Sequence, residues 1–193
     1  MKYTIGEIAE IRDKMKTRLK PGRFEHTLGV AYTAASLGMI WEEDISKCLM
    51  AGMLHDCAKN MTEAELIQSC SDADIALTEE ELASPQIIHS IYGAYLSETY
   101  YGITDGDVIS AVRYHTTGRA AMSLLEKIIF IADFIEPLRN EAGCLKEARN
   151  LAYKDIDRCM CLILANTIEY LDRTGKAVES KTKEAAEYYS TVL

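Results

Sequence analysis

The sequence predicts an all-α, single-domain helical bundle. Helix-start signals recur along the chain, apolar residues repeat at steps of three and four, and only three prolines interrupt 193 residues. Runs of β-branched residues that would build strands are few. A first helix over about 5–19 opens on Thr4-x-x-Glu7, a capping box whose hydroxyl and carboxylate satisfy free amides of the first turn. Pro21-Gly22 separates it from a second over 23–39, where Val30, Ala34 and Leu37 make a core-facing stripe. The third, over 43–58, is apolar through Leu49, Gly52 and Met53. Thr62-x-x-Glu65 and Thr78-x-x-Glu81 start helices over 62–70 and 79–83, and Ser84-Pro85, an N-cap followed by proline at the first helical position, starts one over 85–101. Gly102 and Gly118 bracket a helix over 105–117. The segment 122–136 is apolar nearly all round and stops before Pro137; helices over 144–150, 153–173 and 180–190 complete the chain, the last two parted by Gly175. No intervening stretch is long or low in complexity, so the chain reads as one domain over 1–193, with a core over about 21–140 and flanking helices at 5–19 and 144–190.

Composition narrows the function. With 21 Lys plus Arg against 30 Asp plus Glu, the net charge of −9 argues against sequence-blind nucleic-acid binding, which needs clustered cations to neutralise phosphates. It leaves room for a small phosphorylated ligand held by a few local cations. The longest uninterrupted apolar run is CMCLILA at 159–165, too short to span a bilayer, and the N-terminus lacks a signal-peptide stretch. The six cysteines include no C-x-x-C pair and lie in helix-like apolar patterns, which reads as reduced core residues of a cytoplasmic protein with no membrane partner. Tyr188-Tyr189 in the last helix fits either the core or the surface of a homodimer.

Several polar residues occupy apolar ground. Asp133 sits in Glu126-Lys127-Ile128-Ile129-Phe130-Ile131-Ala132-Asp133-Phe134-Ile135, where an unpartnered carboxylate would cost several kcal/mol. It needs a cation, a metal or strong donors, unless it turns out to water just before Pro137. The four histidines have similar surroundings: His26 shares the stripe of Val30 and Ala34, His55-Asp56 follows an apolar helix, His89 lies within IIHSIYGAYL, and His115 closes VISAVRYH. Each alone reads as a satisfied core histidine; together with Asp56 and Asp133 they read as a shared site. Imidazole and carboxylate without thiolate suit a borderline or hard divalent ion in an open catalytic site. H-E-x-x-H and E-x-x-H are absent, which removes zincins and carboxylate-bridged di-iron bundles, and without G-x-S-x-G a serine hydrolase is poorly supported.

The order His26, His55-Asp56, His89, His115, Asp133 resembles the signature of the HD-domain metal-dependent phosphohydrolases. The words around it, among them Arg23-Phe24-Glu25-His26-Thr27, His55-Asp56-Cys57-Ala58-Lys59 and Ala132-Asp133-Phe134-Ile135-Glu136-Pro137-Leu138-Arg139, are similar to the YqeK-like branch, the symmetrical bis(5'-nucleosyl)-tetraphosphatases. That resemblance implies a helical HD fold and cleavage of diadenosine tetraphosphate into two ADP by a metal-bound water, with no side-chain acid assigned. It implies that His26, His55, Asp56 and Asp133 hold a divalent metal, iron in this family, and that His89 and His115 serve a second metal or the substrate phosphates. The donor set alone also admits Mn, Co, Ni, Mg or Zn, as one ion or two. Arg23, Lys59, Thr116 and Arg139 match nucleotide-phosphate contacts. The family's C-terminal stretch often reads Pro-x-Thr; here Thr182 is kept and Ser180 replaces the proline.

The elementary chemistry agrees. A metal lowers the pKa of bound water from 15.7 toward ~7, and phosphoryl transfer then needs cations on the oxygens that gain charge. Lys59, Arg139 and Arg23 stand beside the ligands in sequence for that purpose. Two alternatives share the residue pattern: an HD-type phosphohydrolase of other nucleotides (mono-, di- or triphosphates, cyclic nucleotides, alarmones), and a non-catalytic module that senses nucleotide or metal.

Overall fold

The computed structural model describes residues 2–140 and 143–192, and all regular structure among them is helical. The order is α1 (Ile5–Arg18), α2 (Pro21–Trp41), α3 (Ile45–Leu54), α4 (Glu63–Asp72), α5 (Glu79–Ala83), a 3₁₀ turn (Pro85–Ile87), α6 (Ile88–Thr99), α7 (Gly106–Tyr114), α8 (Leu124–Ile135), α9 (Leu145–Leu151), α10 (Ile156–Arg173) and α11 (Ser180–Thr191). The three expected capping boxes form at Thr4/Glu7, Thr62/Glu65 and Thr78/Glu81, and Ser123/Glu126 adds a fourth at the start of α8.

α2, α3, α7 and α8 pack against one another at the centre, with α6 on α7 and α10 on α8. Val30, Ala34 and Leu37 of α2 meet Met50, Met53 and Leu54 of α3 and Ile128, Ile129 and Ile131 of α8 in one continuous buried cluster. It extends to Met15 of α1, Ile163 of α10 and Ala185 of α11. Tyr189 belongs to the core, buried and accepting a hydrogen bond from Met122 N at 3.1 Å, so that half of the tyrosine pair faces inward. No helix among the described residues is long and apolar enough to cross a membrane. The cysteines are free, and burial pushes the Cys57 and Cys159 thiols up to about 12, which leaves them unreactive.

Besides shifts of a few residues, among them α2 starting at Pro21 itself, two boundaries differ from the sequence expectation. The helix expected over 43–58 ends at Leu54, and residues 55–60 run as turns closed by Cys57 N to Leu54 O at 3.0 Å and Lys59 N to Asp56 O at 2.9 Å. The His55 imidazole binds the Gly52 carbonyl at 2.7 Å, the acceptor an unbroken helix would offer to the backbone of Asp56. Ser84 is not a side-chain cap either: its backbone leaves the extended region, its hydroxyl is buried without a hydrogen bond, and Pro85 opens the 3₁₀ turn rather than α6 itself.

Glu126, wholly buried in α8, is held by Arg119 at 2.8 Å and 3.0 Å, by the Ser123 amide and by Ser110. Arg113 pairs with Glu81 at 2.9 Å. Both arginines thus serve the scaffold. Arg119→Ala is expected to cost about 1–3 kcal/mol by leaving a buried carboxylate underpaired, read as a lower urea midpoint at unchanged slope.

Candidate metal centre

Five elements bring the site together. His26 projects from the second turn of α2, His55 and Asp56 from the end of α3, His89 from the start of α6, His115 from the end of α7 and Asp133 from the last turn of α8. His55, His89 and His115 share one local device: each Nδ1 lies 2.7, 2.8 or 2.7 Å from the carbonyl three residues earlier, of Gly52, Gln86 and Val112. A carbonyl only accepts, so Nδ1 carries the hydrogen and Nε2 keeps its lone pair. His26 follows the same logic with a carboxylate, its Nδ1 donating to Glu136 Oε1 at 3.1 Å.

The four Nε2 atoms therefore converge as acceptors. Asp56 lies between them, with Oδ2 at 3.5 Å from His55 Nε2 and 3.8 Å from His26 Nε2, and Oδ1 at 3.2 Å from His89 Nε2 and 3.7 Å from His115 Nε2. Asp133 Oδ1 adds contacts of 3.0 Å to His26 Nε2 and 4.0 Å to His55 Nε2. Two donor triads result, His26–His55–Asp56 and Asp56–His89–His115, joined through one carboxylate. Ligands about 2.0–2.2 Å from a common ion stand roughly 3–3.5 Å apart, the scale of these separations.

The buried polar atoms test whether a cation belongs here. His26 Nε2 and His55 Nε2 are buried and make no hydrogen bond, and the approach of Asp133 to His26 lacks hydrogen-bond geometry despite its 3.0 Å. His89 Nε2 and His115 Nε2 face each other at 3.3 Å with Asp56 Oδ1 beside them. Converging lone pairs with no hydrogen between them repel, and a divalent ion in either triad removes that repulsion. The donor set fits an N/O-liganded metal.

Electrostatics prepare the same state. Burial would raise the Asp56 carboxyl, but the surrounding imidazoles, His55 foremost, outweigh it and hold it well below the usual carboxylate range. For Asp133 burial is again outweighed, chiefly by His26 and His55, and its pKa is lowered. Burial pushes the His89 imidazole down to about 4, so it is a neutral donor at pH 7. His26 is the exception: burial depresses it, yet the Asp133 and Glu136 carboxylates win and raise its pKa.

Cations ring the cluster. Arg23 donates to Asp56 Oδ2 at 2.8 Å, Arg139 to Asp133 Oδ1 at 2.9 Å, and Lys59 Nζ lies 3.2 Å from both ring nitrogens of His89. Thr116 Oγ1 stands 3.1 Å from His115 Nε2 and 3.4 Å from His89 Nε2. Thr182 is the candidate that the structure does not bring to this group. It is buried at the start of α11, its amide donating to Glu179 O at 3.1 Å, and it lines neither of the two cavities beside the cluster.

The scan against family models matches the HD domain over residues 23–138. This chain belongs to the HD domain family. All six histidine and aspartate donors of this HD domain fall inside the matched span. Proteins named symmetrical bis(5'-nucleosyl)-tetraphosphatase are similar to it: 37% identical in Halalkalibacterium halodurans, over 87% of this chain and 89% of that protein, and 36% identical in Staphylococcus aureus, over 91% and 90%. A crystal structure described as an HD superfamily hydrolase involved in NAD metabolism, from Clostridium acetobutylicum, superposes with a TM-score of 0.92 at 37% identity, covering 96% of this chain and 97% of that one.

Sequence reasoning missed Glu136. It is almost fully buried, orients His26 through Oε1 and accepts from Leu138 N through Oε2 at 2.7 Å. Gly29, one turn after His26, makes the room: a Cβ there would stand 2.6 Å from Glu136 Oε2. The available signal was a carboxylate three residues after Asp133, directly before a helix-ending proline. Glu136→Ala is expected to weaken metal binding about 10–100-fold through loss of the His26 orientation, measured by competition with a chelator.

Proposed function

We propose that this HD domain hydrolyses diadenosine tetraphosphate symmetrically, one water and one substrate giving two ADP. The observation that carries the reading is the pair of donor triads joined at Asp56, flanked by Arg23, Lys59 and Arg139. The relatives that bear the symmetrical tetraphosphatase name support the substrate.

His26, His55, Asp56 and Asp133 would hold a divalent ion, iron by family resemblance, and His89 and His115 a second ion or the phosphates. When bound, the ion supplies a water of lowered pKa and neutralises phosphate charge. Glu136 and the three backbone carbonyls keep the four imidazoles in the donor tautomer before substrate arrives. Arg23 and Arg139, each already anchored to a carboxylate, present their remaining N–H groups to non-bridging oxygens, and Lys59 and Thr116 do so from the His89 side. One P–O bond of the bridge between the second and third phosphorus atoms breaks as the water oxygen bonds to that phosphorus, and the bridging oxygen leaves with the other ADP. A side-chain acid is unnecessary, because a leaving diphosphate is stabilised by cations.

The HD span of 23–138 shares its core with α1, α10 and α11, which supports a single domain over the whole chain. Six free cysteines, four of them buried, support the cytoplasm as its compartment.

Incubation of metal-loaded protein with diadenosine tetraphosphate is expected to give ADP alone. ATP plus AMP, or no turnover with any divalent ion, overturns the reading. The same preparation against mononucleotides, cyclic nucleotides, alarmones and NAD distinguishes an HD phosphohydrolase of other substrates.

A further inference from the structure

Two cavities share Gly22 and Arg23 in their lining. The smaller, about 550 Å³, carries Lys20, Arg23 and Lys59 and no aromatic residue among the described ones. It suits phosphate. The larger, about 970 Å³, is lined by His26 and Asp133 of the cluster and by Asn166, Thr167, Tyr170 and Arg173 of α10. That volume is at the upper end of small-ligand pockets and far exceeds what a phosphate needs.

The α10 wall has the chemistry of a nucleoside site. Residues 166, 170 and 173 are spaced four and three apart, so they share one helix face. Tyr170 is 48% exposed on that face, and the Arg173 guanidinium lies 5.9 Å from its ring centroid. Thr167 donates its hydroxyl hydrogen to Ile163 O at 2.8 Å and so offers lone pairs to the groove, while Asn166 offers a donor and an acceptor. An aromatic face beside a guanidinium stacks nucleobases, and side-chain amides and hydroxyls read their edges. α10 lies outside the matched HD span, so the wall is an addition to the part of the chain that holds the metal ligands.

We propose that this wall is a nucleoside subsite, with Tyr170 stacking one base of the dinucleotide and Arg173 bracing it, while the phosphates run back past Arg139 to the donor cluster. The proposal rests on the dinucleotide reading above and names the residues that hold one of the two nucleosides.

The test uses the full-length, metal-loaded chain. Tyr170→Ala is expected to raise KM for diadenosine tetraphosphate about 5–100-fold with kcat within about twofold, Arg173→Ala to raise it less, and Tyr170→Phe to behave as wild type. Equilibrium binding of the methylene-bridged, non-hydrolysable analogue is expected to weaken in the same order. Because Tyr170 is exposed, helical circular dichroism should stay that of wild type. Unchanged KM and unchanged analogue affinity in Tyr170→Ala overturn the subsite. A wild type that binds the analogue through Tyr170 but never splits the tetraphosphate overturns the catalytic reading and leaves the subsite standing.

Discussion

Asp56→Asn is expected to lower kcat/KM for diadenosine tetraphosphate about 10³-fold or more, and to strip the metal from the purified protein. Losing one preorganised stabilising group in an active site commonly costs ~10²–10³, and Asp56 serves both donor triads at once. Asparagine keeps the shape but removes the negative charge that faces four imidazoles and Arg23. Its amide nitrogen also brings hydrogens: turned toward His89 Nε2 it would occupy the lone pair an ion needs. The same amide can satisfy that imidazole, so the fold survives. Helical circular dichroism should match wild type while elemental analysis finds little metal. A fully metallated, active Asp56→Asn protein would remove Asp56 from the role of shared ligand.

How far this site was legible depends on what each residue contributes. His26, His55, Asp56, His89, His115 and Asp133 stood out because ionisable groups in apolar helical runs are costly without partners, so their chemistry pointed inward before any contact was known. The helices were legible for a related reason, since capping boxes at Thr4, Thr62 and Thr78 are local hydrogen-bond patterns written within four residues.

Glu136 was opaque because its partner, His26, is 110 positions away, and a glutamate before proline looks like a solvated helix end. Arg119 has the converse property: only the fold shows that Glu126 takes its guanidinium. The α10 wall carries no charged pattern that distinguishes Tyr170 from any exposed tyrosine; its place in the lining of the cavity that also holds Asp133 does. Thr182 shows the limit of motif transfer, since a residue kept in a stretch that has lost its proline lines neither of the two cavities.

Gly52→Ala is expected to destabilise the protein by about 3 kcal/mol and to cut activity about 100-fold, although it adds a single methyl to a helix. A Cβ at Gly52 would sit 2.6 Å from Ala31 Cα and 3.0 Å from Ala31 N, so it meets backbone that cannot rotate away. Relief requires α2 and α3 to part, at the upper end of the ~1–3 kcal/mol that overpacking a core usually costs. That movement bears directly on the site, because α2 carries His26 and the end of α3 carries His55 and Asp56. Misplacing reacting groups by about 1 Å can cost ~10² in rate. Gly52 also provides the carbonyl that sets the His55 tautomer, so its displacement disturbs the donor as well as the spacing. Gly93→Ala is the control that isolates the steric argument. A Cβ there meets Cys57 Sγ and Val112 Cγ1 at 3.5 Å, ordinary contact distances, in a helix that gains up to about 1 kcal/mol when glycine becomes alanine. Urea melts should therefore move in opposite directions for the two variants, with metal affinity falling only in Gly52→Ala. If both shift alike, the close crossing of α2 and α3 is not what positions the ligands.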